Sequence, residues 1–167
     1  MGETVNRELL VMRHAKTERS ARNDRERGLT ARGRADAEAA GRWLREQRVK
    51  PEVVLTSPAV RARDTAELVV AGLAVAPEVR VVEELYEASA EEVLEIVAGM
   101  EDDRRSVLVV GHNPTMEELT HLLPGAAADA GEAHLPTAGV VILDVPGRWH
   151  QIAAGSVDIV SRHVARG

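Results

Sequence analysis

Short apolar runs alternate along this chain with stretches in which apolar residues recur every three or four positions. The runs have the length of buried strands, and we predict strands over 8–12, 53–56, 79–82, 106–110 and 139–145. The longer stretches are typical of amphipathic helices, which we predict over 30–47, 58–73, 90–100 and 114–124. Such alternation predicts a mostly parallel sheet with helices on both faces. We therefore expect a three-layer α/β/α sandwich that forms a single domain over residues 1–167.

Capping signals mark where the predicted helices begin: Thr30 for the first, Ser57-Pro58 for the second, Ser89 with Glu92 for the third and Asn113-Pro114 for the fourth. Residues 13–29 and 126–136 are predicted as loops. Residues 149–154 are predicted to pair with the fifth strand as a hairpin through Pro146 and Gly147.

The composition excludes several classes of protein. The chain has no cysteine, which excludes disulfides, thiolate nucleophiles and cysteine-ligated metal centres. A formal charge of −6 and an aromatic content of 2% argue against binding to nucleic acids or anionic membranes. No apolar run is long enough for a signal peptide or a membrane span, so we expect a cytoplasmic protein.

Polar motifs follow three of the predicted strands directly. Arg13 and His14 follow the first strand, Ser57 and Arg61 follow the second, and His112 follows the fourth. The carboxyl ends of parallel strands share one edge of a sheet, which is where ligands bind in this class of fold. Two helix N-termini are predicted at the same edge. The sequence therefore predicts an anion site there, suited to a doubly charged phosphate.

These three motifs, in this order and with this spacing, resemble those of the histidine phosphatase (phosphoglycerate mutase-like) superfamily. Within it, residues 8–145 resemble the small phosphohistidine phosphatases of the SixA type. The resemblance implies a phosphoglycerate mutase-like fold and a metal-independent hydrolase that needs no cofactor. It also implies a phosphohistidine intermediate on the enzyme and, most directly, phosphohistidine in proteins as the substrate.

The residue types agree with this chemistry. A neutral imidazole of His14 is a nucleophile for phosphorus, and covalent catalysis divides one difficult step into two. Arg13 and Arg61 are expected to bind the phosphoryl oxygens and to lower the pKa of His14. His112, if protonated, would donate to the same oxygens. No His and carboxylate cluster with the spacing of metal ligands is visible in the sequence.

The proton donor for the leaving group stays open between three acids. The resemblance implies Glu87, in the segment Leu85-Tyr86-Glu87, with Glu84 as the neighbouring alternative and Asp24 as a third choice in the first loop. An acid at Glu87 would extend the substrate range toward phosphate esters.

Other residues are candidates for substrate contact: Ser57, Asp24 and Thr137. The sequence departs from the family pattern at Ala15, where glycine is usual, and at Asp64, where glutamine is common. Ala15 is small enough that we expect it to fit.

We expect a phosphorylated protein as the partner, because few residues remain for a lid after strands and helices are assigned. A small phosphorylated metabolite is the alternative, and residues 126–136 could cover one. A non-catalytic phosphoryl-binding adaptor is disfavoured by the intact His14. Eight basic residues against three acidic ones within 13–34 indicate a positive rim that steers an anionic substrate. No nucleic acid or membrane partner is expected, and a monomer is favoured.

Overall fold

A six-stranded sheet lies at the centre of the computed structural model, which describes residues 5–125 and 134–167. The strands in chain order are β1 (Arg7–Arg13), β2 (Val53–Thr56), β3 (Glu78–Val81), β4 (Ser106–Gly111), β5 (Gly139–Val145) and β6 (Asp158–Val164). The helices are α1 (Ala31–Glu46), α2 (Val60–Gly72), α3 (Ala90–Ala98) and α4 (Thr115–Leu122). Within the described ranges, every helix is too short or too polar to cross a bilayer.

The sheet is mostly parallel, as predicted. Its order is β3-β2-β4-β1-β5-β6, and the first four strands of this order run parallel to one another. Strand β5 is antiparallel to both β1 and β6. All five predicted strands agree with observed strands to within one residue at both ends. Most of the predicted loop 126–136 lies outside the described residues.

Apolar side chains on the two faces of the sheet form two separate clusters. Leu9 and Val11 of β1 point to the face that is covered by α3 and α4. Leu10 and Met12 point to the opposite face, which packs against α1 and α2. Alternation along a strand sends successive side chains to opposite faces, so one buried strand serves both layers. The predicted α/β/α sandwich is therefore confirmed.

The caps of α1 and α3 form as predicted. The Thr30 hydroxyl accepts the N–H of Gly33 at 2.9 Å, and the capping box of Ser89 and Glu92 makes both of its hydrogen bonds. Helix α2 begins two residues later than predicted, at Val60. The Ser57 hydroxyl accepts the N–H of Ala59 at 3.3 Å in a turn before the helix, so Ser57 caps the turn instead.

The hairpin predicted over 149–154 is wrong. Residues Trp149–Gln151 form a single 3₁₀ turn, and the antiparallel partner of β5 is β6. The Trp149 side chain is fully buried in the cluster beneath α3 and α4, and its indole N–H donates to the Arg104 carbonyl at 2.6 Å. Burial of this large ring in the cluster holds the segment in the turn, and the strand that pairs with β5 begins later, at Asp158.

Helices α1 and α2 cross at a pair of glycines. A Cβ added to Gly41 would lie 2.4 Å from the Val69 carbonyl oxygen, and one added to Gly72 would lie 2.8 Å from the Gly41 carbonyl carbon. The contacts are to backbone, which cannot move aside as a flexible side chain would. The crossing therefore depends on glycine at both positions.

We predict that Gly41→Ala destabilises the protein by about 1–3 kcal/mol, because the added methyl group overpacks this crossing. Alanine is the better helix former by about 1 kcal/mol, so propensity alone would give the opposite sign. Gly99→Ala is the control, since its Cβ would meet the nearest atom at an ordinary 3.5 Å. Urea unfolding measures both variants, and equal stability of Gly41→Ala and the parent would contradict the prediction.

Candidate active site

The three sequence motifs meet at the carboxyl edge of the sheet. Arg13 ends β1 opposite Gly111 of β4, and the N–H of His14 donates to the Gly111 carbonyl at 2.9 Å. Ser57 leaves β2 with its N–H bonded to the Val110 carbonyl at 3.2 Å. The rings of His14 and His112 lie with their centroids 5.2 Å apart. The predicted convergence of these motifs is present.

One tautomer of His14 is selected by a hydrogen bond to the main chain. Its Nδ1 lies 2.8 Å from the Ala15 carbonyl oxygen, which can only accept, so Nδ1 carries the proton. Nε2 then holds the free electron pair. Burial, ahead of the charges of His112, Arg61 and Arg13, lowers the pKa of His14 to about 3. The ring is therefore neutral at pH 7, with Nε2 available as a nucleophile.

Thr65 connects the turn after β1 to helix α2. Its hydroxyl oxygen accepts the N–H of Ala15 at 3.0 Å, and its hydroxyl group donates to the Arg61 carbonyl at 2.7 Å. Ala15 is fully buried in the cluster beneath α1 and α2, so the methyl group that departs from the family pattern packs into the core. Through these two hydrogen bonds, Thr65 links the backbone at Ala15, next to His14, to the backbone at Arg61.

The buried guanidinium of Arg61 is paired with Asp24. One of its nitrogens donates to the Asp24 carboxylate at 2.9 Å and the other to the Asp24 carbonyl oxygen at 2.7 Å. The hydrogen bond from Tyr86, followed by those from Arg61 and Arg27, holds the pKa of Asp24 well below its usual range. In this arrangement Asp24 is an ionised partner of Arg61 and holds no proton to donate.

Tyr86 is a component of the site that the sequence analysis did not single out. Its hydroxyl group donates to the same Asp24 oxygen at 2.5 Å, and its ring meets the His112 ring edge-on at 5.8 Å between centroids. The guanidinium of Arg25 lies 4.3 Å from the centre of the tyrosine ring. The one signal for it in the sequence is that Tyr86 is the single tyrosine of the chain, next to Glu87.

His112 is held by Ser57. The Nε2 atom of His112 lies 2.7 Å from the fully buried hydroxyl oxygen of Ser57, whereas Nδ1 is buried with no hydrogen-bond partner among the described residues. Burial, followed by the charges of Arg61 and Arg27, lowers the pKa of His112 to about 4. His112 is therefore neutral in the unliganded protein, and the protonated form considered in the sequence analysis requires an anion nearby.

Arg13 borders the site on the side of residue 135. Its guanidinium donates to the Leu135 carbonyl at 3.3 Å, and Nε is buried with no partner in the described ranges. Burial lowers the pKa of Arg13, while the carboxylate of Glu117 acts in the opposite direction. With this single weak hydrogen bond, the guanidinium keeps donors available for an anion.

The remaining candidates lie at the margin of the site. Glu87 and Glu84 are exposed, and neither side chain makes a hydrogen bond or ion pair with a described residue. Thr137 lies in the turn before β5, where its carbonyl accepts from Arg166 at 3.0 Å. Asp64 faces Arg34 at 4.0 Å, and it makes no ion pair with Arg61.

The described residues include no group of three or more His, Asp or Glu side chains that could hold a metal ion. Independence from metals stays a prediction. The groups that the structure brings together are one neutral nucleophile, two guanidinium cations and a second imidazole, which together suit an anionic phosphoryl group.

We predict that neither His14 nor His112 titrates between pH 8 and pH 5. Both pKa values lie below the ordinary value of about 6.5, so neither ring reaches half protonation in the folded protein in that range. Unfolded chains bind more protons there, so the free energy of unfolding falls as the pH drops below about 6.5. NMR titration of the imidazole carbons measures this, with the urea-unfolded chain as control. A midpoint near pH 6.5 for either ring would refute the prediction.

Comparison with known proteins gives the same assignment as the motifs. The family model of the histidine phosphatase superfamily (branch 1) matches residues 9–95. An uncharacterized protein of Mycobacterium leprae is 36% identical over 148 residues, which cover 86% of this chain and 89% of the relative.

Solved structures show the same fold. A protein assigned as the phosphohistidine phosphatase SixA of Nakamurella multipartitia superposes with a TM-score of 0.85 at 31% identity, over 96% of this chain and 97% of that one. Its counterpart from Agrobacterium tumefaciens gives a TM-score of 0.81 at 27% identity, over 94% and 97% of the two chains. With the family match and these relatives, the chain belongs to the histidine phosphatase superfamily.

Proposed function

We propose that this chain is a phosphatase that becomes phosphorylated on His14 and removes phosphate from phosphohistidine in proteins. The observation that carries the proposal is the tautomer of His14, whose bonded Nδ1 leaves the Nε2 electron pair free beside Arg13, Arg61 and His112. Similarity to the Nakamurella and Agrobacterium proteins, both assigned as phosphohistidine phosphatases, supports the choice of substrate.

In the first step, Nε2 of His14 attacks the phosphorus atom of the substrate. The P–N bond of the substrate breaks, and its electron pair goes to the departing imidazole nitrogen. The proton stays on Nδ1 of His14, which continues to donate to the Ala15 carbonyl oxygen, so phosphorylated His14 carries a positively charged ring. Arg13 and Arg61 stabilise the charge on the phosphoryl oxygens, which is the main requirement of phosphoryl transfer.

In the second step, water attacks the phosphorus atom of phosphorylated His14. The P–Nε2 bond breaks and returns its electron pair to Nε2, which restores the neutral ring. Both protons of the water stay on the product, which leaves as dihydrogen phosphate. A ring that is positively charged before the P–Nε2 bond breaks leaves as a neutral imidazole, which is a good leaving group. The hydrogen bond from Nδ1–H to the Ala15 carbonyl oxygen therefore serves both steps.

The state of the acidic residues favours a P–N bond over a P–O bond in the substrate. Asp24 is held ionised by Tyr86 and Arg61, and the Glu87 side chain makes no hydrogen bond or ion pair with the described residues of the site. An alkoxide leaves slowly without a proton donor. When the other ring nitrogen of the substrate phosphohistidine is protonated, its imidazole leaves in the neutral form and needs no proton donor. A small-molecule phosphomonoesterase would require an acid that these contacts do not supply.

We expect His14→Ala to reduce phosphate release from a phosphohistidine-bearing carrier protein to the spontaneous rate, because the attacking nitrogen is lost. Rapid acid-free quenching should trap phosphate on the parent chain alone, and EDTA should leave the parent rate unchanged. His150→Ala is the control, since His150 is exposed and lies in the 3₁₀ turn before β6. Turnover by His14→Ala above the blank would exclude His14 as the nucleophile.

We expect Asp24→Asn to bind inorganic phosphate about fivefold more tightly, because about 1 kcal/mol of charge repulsion beside Arg61 is removed. The kcat on phosphohistidine should stay unchanged, since Asp24 donates no proton. Asp64→Asn is the matched control, because that carboxylate faces Arg34. A large fall in kcat for Asp24→Asn alone would instead identify Asp24 as the proton donor.

A further inference from the structure

The formal charge of the chain is distributed very unevenly. Residues 13–34 contain eight basic and three acidic residues, which gives this segment +5. Since the whole chain carries −6, all other residues together carry −11. A short basic segment on an otherwise acidic protein marks a surface for an anionic partner.

Within this segment, three neighbouring cationic side chains form no hydrogen bond or ion pair with the described residues. Arg25, Arg27, Arg32 and Arg34 each form an ion pair, with Glu83, Asp24, Asp36 and Asp64 respectively. Lys16, Arg19 and Arg22 are exposed, and none of them makes a side-chain hydrogen bond or ion pair with a described residue. We call residues 16–22 the basic lip.

The backbone of the basic lip is fixed at its start, over residues 16–18, next to His14. Thr17 pairs with Leu29 as an isolated bridge, and its hydroxyl oxygen accepts from Arg27 at 2.6 Å. The same Arg27 binds Asp24, the partner of Arg61. The lip is therefore connected to the phosphate-binding arginine through a chain of side-chain contacts.

Helix α1 supports the lip from the other side. A Cβ on Gly33 would lie 2.1 Å from the Lys16 carbonyl oxygen, so the absent side chain allows the helix to touch the backbone of the lip. A surface cavity of about 530 Å³ opens here, lined by Lys16, Thr17, Glu18, Arg19, Ser20 and Thr30. Its volume suits side chains of a docked protein, and the one acid in it, Glu18, leaves it net positive.

We propose that the basic lip docks an acidic surface of the protein that carries the phosphohistidine. This inference rests on the proposed function and names the partner's chemistry. Arginine side chains bind carboxylates through paired N–H donors, which suits Arg19 and Arg22 to aspartate and glutamate. The net charge of −11 on the remaining residues repels a long polyanion such as a nucleic acid. A compact acidic patch, in contrast, can contact the lip without contacting the rest of the surface.

The test compares two charge-reversed variants on two substrates. The lip variant is Arg19→Glu with Arg22→Glu. The control variant is Arg42→Glu with Arg45→Glu, which changes the net charge equally but lies near the far end of α1, about 15–20 Å along the helix from its first turn. The substrates are a chemically phosphorylated histidine carrier protein of net negative charge and free phosphohistidine, each assayed from low to high ionic strength.

We expect the lip variant to lose at least about tenfold in kcat/KM on the acidic carrier at low salt, with a much weaker salt dependence than the parent. Free phosphohistidine should be hydrolysed within twofold of the parent rate, and the control variant should match the parent on both substrates.

Three outcomes overturn the docking inference while the proposed function stands. Equal losses for the lip and control variants would show that only net charge matters. Equal losses on carrier and free phosphohistidine would assign the lip to the phosphate site. Tighter binding of a DNA duplex than of the carrier would assign it to a nucleic acid. If the parent hydrolyses neither substrate, the proposed function itself fails, and the docking inference fails with it.

Discussion

The parallel pairing of β1 with β4, and of β4 with β2, is the constraint on which the site depends. This pairing places the ends of the three strands at one level, with Arg13 opposite Gly111 and Thr56 opposite Val110. A shift of one residue in either pair would turn every side chain of the moved strand to the other face of the sheet. Because both faces are buried, apolar packing fixes the register and thereby the positions of the two histidines.

The same packing creates an electrostatic problem that the protein resolves locally. Burial of Arg61 without a counter-charge would cost several kcal/mol, and Asp24, which accepts a hydrogen bond from Tyr86, supplies that charge in the unliganded state. The two imidazoles respond to burial differently from Arg61, because a histidine can lose its proton whereas an arginine cannot. Burial therefore yields neutral rings beside charged guanidinium groups, which is the combination that a phosphoryl acceptor requires.

The sequence allowed those parts of the molecule to be predicted that depend on local patterns. The five strands, the caps at Thr30 and Ser89, and the meeting of Arg13, Arg61 and the two histidines follow from periodicity and strand order. The contacts of Tyr86 with Asp24 and His112 could not be predicted, since they join residues far apart in the chain. The failed hairpin at Trp149 has the same origin, because burial in the core outweighed a local turn signal.

The basic lip combines a backbone that is held at Lys16 and Thr17 with side chains that the fold does not use. Exposed side chains without partners contribute little to folding stability, so substitutions at Lys16, Arg19 and Arg22 are nearly neutral for the fold. Natural selection can therefore change these positions while the chemistry at His14 stays constant. Under the proposed docking, such substitutions would change which acidic protein the lip recognises without any change to the active site.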